Sequence, residues 1–192
     1  MTLDDVQLER YARHIVLREV GGEGQRKLLE SNVAVIGAGG IGSPLIQYLA
    51  AAGVGRLTVI DHDHVTLSNL QRQVLFSTDD TGGSKAERAV CAVARLNPDV
   101  VVIPVDAWID AAIATALLNG TDVVVDGSDN FETRLAVSDA TLALRIPLVS
   151  ASVAQFEGSR GLQHLRDDLI ERANIRSSGK VRELIIETLV IQ

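Results

Sequence analysis

The sequence has 192 residues, 46% of them hydrophobic and 22% charged, which suits one globular domain with a real core and at most a small appendage. The formal net charge of −7 argues against nucleic acid as the main partner, because phosphate binding needs clustered Lys and Arg. A single cysteine, Cys91, excludes an internal disulfide framework and a cysteine-based zinc site, and no apolar run approaches the ~18 residues of a membrane span.

The chain starts with the acidic stretch MTLDDVQLER, which has no apolar signal core, so a cytoplasmic setting is expected. Thr2 and Asp5 fit a loose capping box. The helix after it would place Val6, Tyr11, Ile15 and Leu17 on one side and be broken by GGEG at 21–24. A short helix, QRKLLES, precedes a Val-rich buried strand over Asn32–Ile36. GAGGIGSPLIQYLAAAGVG then reads as a tight turn and a helix, and RLTVID as a second strand. A helix over 84–96, the strand VVVIPVD and a helix over 110–118 follow. DVVVDGSDN forms a fourth strand and loop, then come a helix over 131–144 and a fifth strand, IPLVSAS. Aromatics are 3% of the residues, so Val, Ile, Leu and Ala must build the core. Five apolar strands alternating with helices predict a Rossmann-like α/β fold, a doubly wound and mostly parallel sheet with N-terminal helices. After Gly158 the chain is charged and weakly patterned, and 159–192 reads as a divergent tail.

The chemistry concentrates at one sheet edge. Gly37, Gly39, Gly40 and Gly42 match G-x-G-x-x-G between a strand and a helix, which lets backbone approach a phosphate at a helix N-terminus. Asp61 ends the next strand, where a ribose acid belongs. In DHDHVTLSNLQRQ, strand-like alternation would put Asp61 and Asp63 on one face and His62 and His64 on the other, leaving two histidines as a poor zinc site. The following Ser68, Asn69, Leu70, Gln71 and Arg72, with Lys85 on the next helix, offer polar groups and two cations to a polyphosphate. Asp129, beside Asn130, has the chemistry of a Mg²⁺ ligand or of a helix N-cap, and Asp126 precedes it at the strand end.

Taken together, RYARHI, GAGGIGSPLIQYLAAAGVG, LTVIDHDHVTLSNLQRQVLF, GGSKAE, NPDV, DGSDNFETR and PLVSASVAQFEG resemble the ubiquitin-activating-enzyme superfamily. The branch is that of the ThiF/MoeB/HesA-type sulfur-carrier adenylyltransferases of molybdopterin and thiamine biosynthesis. The resemblance implies an ATP-binding domain over 1–158, with a helical arm over 1–31. It implies that Gly40 lies against the nucleotide, that Asp61 holds the ribose, and that Ser68 to Arg72 and Lys85 line the phosphates. Asp129 would bind Mg²⁺ with Asn130 beside it, and Arg13 would enter the neighbouring subunit's site in a homodimer. The implied reaction is ATP-dependent adenylation of the C-terminal Gly-Gly carboxylate of a small ubiquitin-like carrier protein, giving acyl-adenylate and pyrophosphate. Family members carry two Cys-x-x-Cys pairs for a structural zinc. They are missing here, so no zinc is expected and the tail reads as truncated or altered; His14 stands where Gln is usual. Other readings are a catalytically impaired ATP-binding subunit or scaffold of the same fold, an NAD-dependent oxidoreductase resting only on the glycines and Asp61, and a relative acting on tRNA.

Overall fold

A computed structural model of the chain describes residues 3–151. The tail assigned to 159–192 lies outside the described residues. Five parallel strands form the sheet: β1 (Asn32–Ile36), β2 (Arg56–Ile60), β3 (Val101–Val105), β4 (Val123–Asp126) and β5 (Leu148–Ser150). Their order is β3-β2-β1-β4-β5, so the chain reverses direction across the sheet between β1 and β4. The Rossmann-like doubly wound architecture is thus present, and its switch point lies where β1 and β4 end side by side.

Period-2 alternation sends β1 to two cores. Val33 and Val35, with Leu57 and Val59 of β2, pack on Ile46 and Ala50 of α4 (Gly42–Ala52) and on Ala89 and Val93 of α5 (Lys85–Leu96). On the other face Ala34, Ile36, Ile60 and Val124 meet α6 (Ala114–Leu118) through Leu118, and α7 (Phe131–Leu144) through Val137 and Ala140. Each Val, Leu or Ile buried in this way contributes roughly 1.5–3 kcal/mol. Burial on both faces explains the nearly continuous apolar runs of β1, β2 and β4, whereas the edge strands β3 and β5 leave Val101, Ile103 and Val149 exposed.

The N-terminal arm differs from the sequence expectation. Its capping box is formed by Asp4 and Gln7, because the Gln7 N–H donates to Asp4 Oδ1 at 2.8 Å and the Asp4 N–H to Gln7 Oε1 at 3.3 Å. One amphipathic helix does not form: α1 (Asp5–Arg10) and α2 (Ala12–Ile15) meet at Tyr11, while Val6 and Leu17 stay exposed. The glycines at 21–24 open a helix instead of only breaking one. Gly21 takes φ +61° and α3 runs Gly21–Glu30. The helix expected over 110–118 is shortened, since the Asp110 carboxylate accepts the Ala112 and Ile113 N–H groups in a turn before α6.

Tyr11 anchors the arm. Its buried ring lies so close to Gly53 that a Cβ there would sit 2.6 Å from it. Gly53 also needs its φ of +83° to close α4, where its N–H donates to Ala50 O and that of Val54 to Leu49 O. The fully buried Asn97 amide donates to the Tyr11 hydroxyl at 2.8 Å and to Ala50 O at 2.7 Å. His14 Nδ1 lies 2.9 Å from Gln25 Oε1, and Gln25 Nε2 donates to Ala52 O at 2.8 Å. Since that oxygen can only accept, His14 carries its proton on Nδ1. These bonds hold α2, and with it Arg13, against the ends of α4 and α5.

Candidate functional site

The carboxyl ends of β1, β2 and β4 converge on one crevice. Gly37 leaves β1 with φ +82° and runs against Gly127 and Ser128 of the loop after β4. A Cβ on Gly42 would fall 1.8 Å from Gly37 O, so α4 can start this close to the turn only with glycine there. Gly40 is different in kind. It is exposed, and a Cβ on it would lie 3.4 Å from Arg72 Cδ, an ordinary contact. The Arg72 stem therefore lies alongside the glycine turn, which brings together two motifs separated by 32 positions in the chain. A cradle of this shape, with free N–H groups and a nearby guanidinium, fits a phosphate.

Asp61 is 8% exposed and already holds the loops together. Its Oδ2 accepts the Ala38 N–H at 2.6 Å, and its Oδ1 the Asp63 N–H at 2.8 Å. Each carboxylate oxygen retains a second lone pair, so two ribose hydroxyls can still be accepted. This same Asp61 turn corrects the alternation expected for the DHDH segment. Past Ile60 the chain is no longer a strand, and the acids are not separated from the histidines: His62 Nε2 lies 3.4 Å from Asp63 Oδ1. Ligand atoms of Asp61, His62 and Asp63 lie within 4.8 Å of one another. Of these, Asp61 already accepts two backbone N–H groups and Asp63 is paired with Lys85.

Lys85 opens α5 almost fully buried, 3% exposed, and its Nζ reaches Asp63 Oδ2 at 2.7 Å. The loop before it is fixed by the Lys85 N–H donating to Asp63 O, and by Val65 exchanging backbone bonds with Gly82 and Gly83. The Lys85 hydrogen bond holds the Asp63 carboxyl below the usual carboxylate range against the opposing effect of burial, and the charges of Lys85, His62 and His64 add to it. Lys85, expected to add a second cation, is thus already paired with Asp63.

Of the polar run, Ser68 and Gln71 are exposed, and Asn69 and Leu70 are half-buried. Leu67–Asn69 is a single 3-10 turn, from which Asn69 Oδ1 accepts Arg72 Nη2 at 2.8 Å and orients the guanidinium. On the β4 side the N-cap of α7 is Asn130, whose Oδ1 accepts the Thr133 N–H at 3.0 Å. Asp129 is thereby spared that task. It is exposed and makes no hydrogen bond or ion pair among the described residues. Arg13 lies on α2, exposed, and nothing among the described residues ties it to the crevice.

Two neighbouring groups escaped the sequence reading or were barely touched by it. Asp126 is 1% exposed; its Oδ1 accepts the Ser128 N–H and hydroxyl, while its Oδ2 has no partner. Arg134 donates to Ser128 O at 2.6 Å, to Ala151 O at 2.6 Å and to Ser150 Oγ at 3.2 Å. It ties the loop carrying Asp129 to the end of β5. The only signal in the sequence was an arginine one turn beyond an N-cap, which is too common to single out.

The ThiF family model matches residues 11–166. The SAMP-activating enzyme E1 of Haloferax volcanii is 54% identical over 158 residues, 82% of this chain and 58% of that protein. The sulfur carrier protein adenylyltransferase of Thermus thermophilus is 46% identical with the same coverage. The chain therefore spans a little over half the length of these two relatives. Among solved structures, the Escherichia coli tRNA N6-threonylcarbamoyladenosine dehydratase in complex with ATP superposes with a TM-score of 0.73 at 27% identity, covering 78% of this chain and 61% of the other. On the match over 11–166, the chain belongs to the ThiF family.

Proposed function

We propose that the protein binds Mg·ATP in this crevice and adenylates the C-terminal Gly-Gly carboxylate of a small ubiquitin-like sulfur-carrier protein. The observation that supports this most is the convergence of the glycine turn, Asp61, the Arg72 guanidinium and the unengaged Asp129 carboxylate at one switch point. An NAD-dependent reaction gives no work to Arg72 or Asp129. The named activities of the Haloferax and Thermus relatives point the same way.

The chemistry asked of the residues is modest. A carboxylate is already a nucleophile at neutral pH, so no general base is needed. One of its oxygens forms a bond to the α-phosphorus, and the bond from that phosphorus to the bridging oxygen breaks. Pyrophosphate leaves with the electron pair. The barrier is anion meeting anion, plus charge gathering on the leaving group. Arg72, oriented by Asn69, answers the second difficulty. Lys85 uses one of its three N–H donors on Asp63, which leaves two for a phosphate oxygen. Asp129 is a hard oxygen donor suited to Mg²⁺, which would neutralise phosphate charge there; Asn130 Oδ1 is already engaged as the N-cap. In a homodimer, Arg13 would supply a further cation to the partner's crevice. No described helix is long and apolar enough to cross a membrane, and a cytoplasmic setting suits this chemistry.

The test is ATP–pyrophosphate exchange with a carrier protein ending in Gly-Gly and with the same carrier shortened by those two residues. Exchange with the first alone supports the reading. Equal exchange with both sinks it.

A further inference from the structure

Arg134 stands in the first turn of α7, where the positive end of the helix dipole disfavours a cation. Among the described residues it forms no salt bridge. Its guanidinium is spent on neutral oxygens instead. Nε and Nη2 both donate to Ser128 O, at 3.0 and 2.6 Å. Nη2 also donates to Ala151 O at 2.6 Å, and Nη1 to Ser150 Oγ at 3.2 Å. Ser128 O belongs to the same planar peptide unit as the Asp129 N–H, so this fork fixes the plane from which Asp129 projects. The residues on either side are held as well. Asp126 Oδ1 accepts the Ser128 N–H at 2.9 Å and its hydroxyl at 2.7 Å, and Asn130 caps α7 through the Thr133 N–H. The far end of the fork is firm ground, because Asp126 pairs with Ser150 in the sheet and its carbonyl accepts the Ala151 N–H. The loop also lies against the glycine turn, where a Cβ on Gly37 would come 3.4 Å from Gly127 and from the Ser128 Cα. The backbone around Asp129 is thus pinned, while its carboxylate makes no hydrogen bond or ion pair among the described residues.

We propose that Arg134 is a positioning residue for the metal of Mg·ATP: by clamping the Ser128–Asp129 peptide to the end of β5, it holds the backbone that presents the Asp129 carboxylate to Mg²⁺. This rests on the nucleotide reading above and adds the residue that acts through Asp129. A carboxylate on a loop free to move would spend binding energy on becoming ordered, and groups that fix a ligating side chain are worth about 10- to 100-fold in metal affinity.

The test uses the full chain and a non-hydrolysable ATP analogue, whose Kd is measured by calorimetry in EDTA and across a series of Mg²⁺ concentrations. In the parent Mg²⁺ should tighten binding, and Asp129→Ala should abolish that gain. Arg134→Ala should raise the Mg²⁺ concentration of half effect by roughly 10- to 100-fold and leave the Kd in EDTA unchanged. Arg134→Lys keeps the charge and the stem but offers one nitrogen where three now donate, so it should fold and show the same displacement, which guards against an alanine variant that does not fold. A lysine variant with the parent's Mg²⁺ dependence would overturn the proposal. So would a Kd in EDTA that rises as far as the Kd in Mg²⁺, because Arg134 would then support the crevice as a whole. A parent indifferent to Mg²⁺, or an Asp129→Ala variant that keeps the full gain, would overturn the metal reading itself and this proposal with it.

Discussion

Gly40 and Gly42, two positions apart, do opposite jobs, and alanine at each separates them. In Gly42→Ala the new methyl lands 1.8 Å from Gly37 O and 2.8 Å from Gly37 C, where contacts under 3.0 Å essentially never occur. The obstacle is backbone, so the turn or the start of α4 must move by about 1 Å or more. Forcing atoms into a packed site costs about 1–3 kcal/mol, and moving the turn also disturbs the Ala38 N–H bond to Asp61, worth roughly 1.5–3 kcal/mol as a charged acceptor. A loss of about 3 kcal/mol lowers the melting temperature by roughly 6–12 °C for a chain of this size. In Gly40→Ala the methyl meets only the Arg72 stem at 3.4 Å, and no positive φ forbids it. Stability should therefore be unchanged or rise by about 0.4–1 kcal/mol, while the methyl occupies the phosphate face of the turn. Its ATP Kd should rise at least tenfold, about 1.4 kcal/mol. Differential scanning calorimetry and ATP titration of both variants decide the matter. If Gly42→Ala melts like the parent, or Gly40→Ala binds ATP like it, the division of labour is wrong.

Further consequences are as direct. Arg72→Ala and Asp129→Ala, both at exposed positions, should each lower pyrophosphate exchange by roughly 10²-fold or more with the melting temperature unchanged; normal exchange in either would remove that residue's role. Asn97→Ala should cost about 1–3 kcal/mol by abandoning the Tyr11 hydroxyl, seen as a melting temperature roughly 2–12 °C lower. The depressed Asp63 pKa gives a signed pH prediction. A carboxyl held below its unfolded value adds stability above that value, about 3.9, and loses it as pH falls through the lower folded value. Urea unfolding of Lys85→Met should thus show a deficit against the parent at neutral pH that shrinks below about pH 4. A deficit independent of pH would mean that Lys85 stabilises by packing alone.

The sheet was legible because each strand is a short apolar run bounded by turn residues, and because Gly37 to Gly42 follows one of them. The arm was less so. Val6 and Leu17 follow a helical period that the chain does not bury, and the Tyr11–Asn97 bond joins residues 86 apart in sequence, beyond the reach of any local pattern. At the site, sequence could place Asp61, Arg72 and Asp129 on one edge. It could not show that Asp63 would engage Lys85, because an Asp61 carboxylate turning back onto the Asp63 N–H breaks the alternation on which that reading depended. Nor could periodicity bring His62 to Trp108, since their meeting depends on β2 and β3 being neighbours.

In the proposed reaction a carrier carboxylate attacks the α-phosphate of ATP. Incubating the protein and a Gly-Gly carrier with ATP labelled in either the α- or the γ-phosphate, and following the label, reads out that attack. Acid-stable capture of α-label on the carrier and release of γ-label as pyrophosphate are expected. Label arriving on the carrier from the γ-phosphate, or α-label captured equally by a carrier lacking its terminal Gly-Gly, would contradict the proposed reaction.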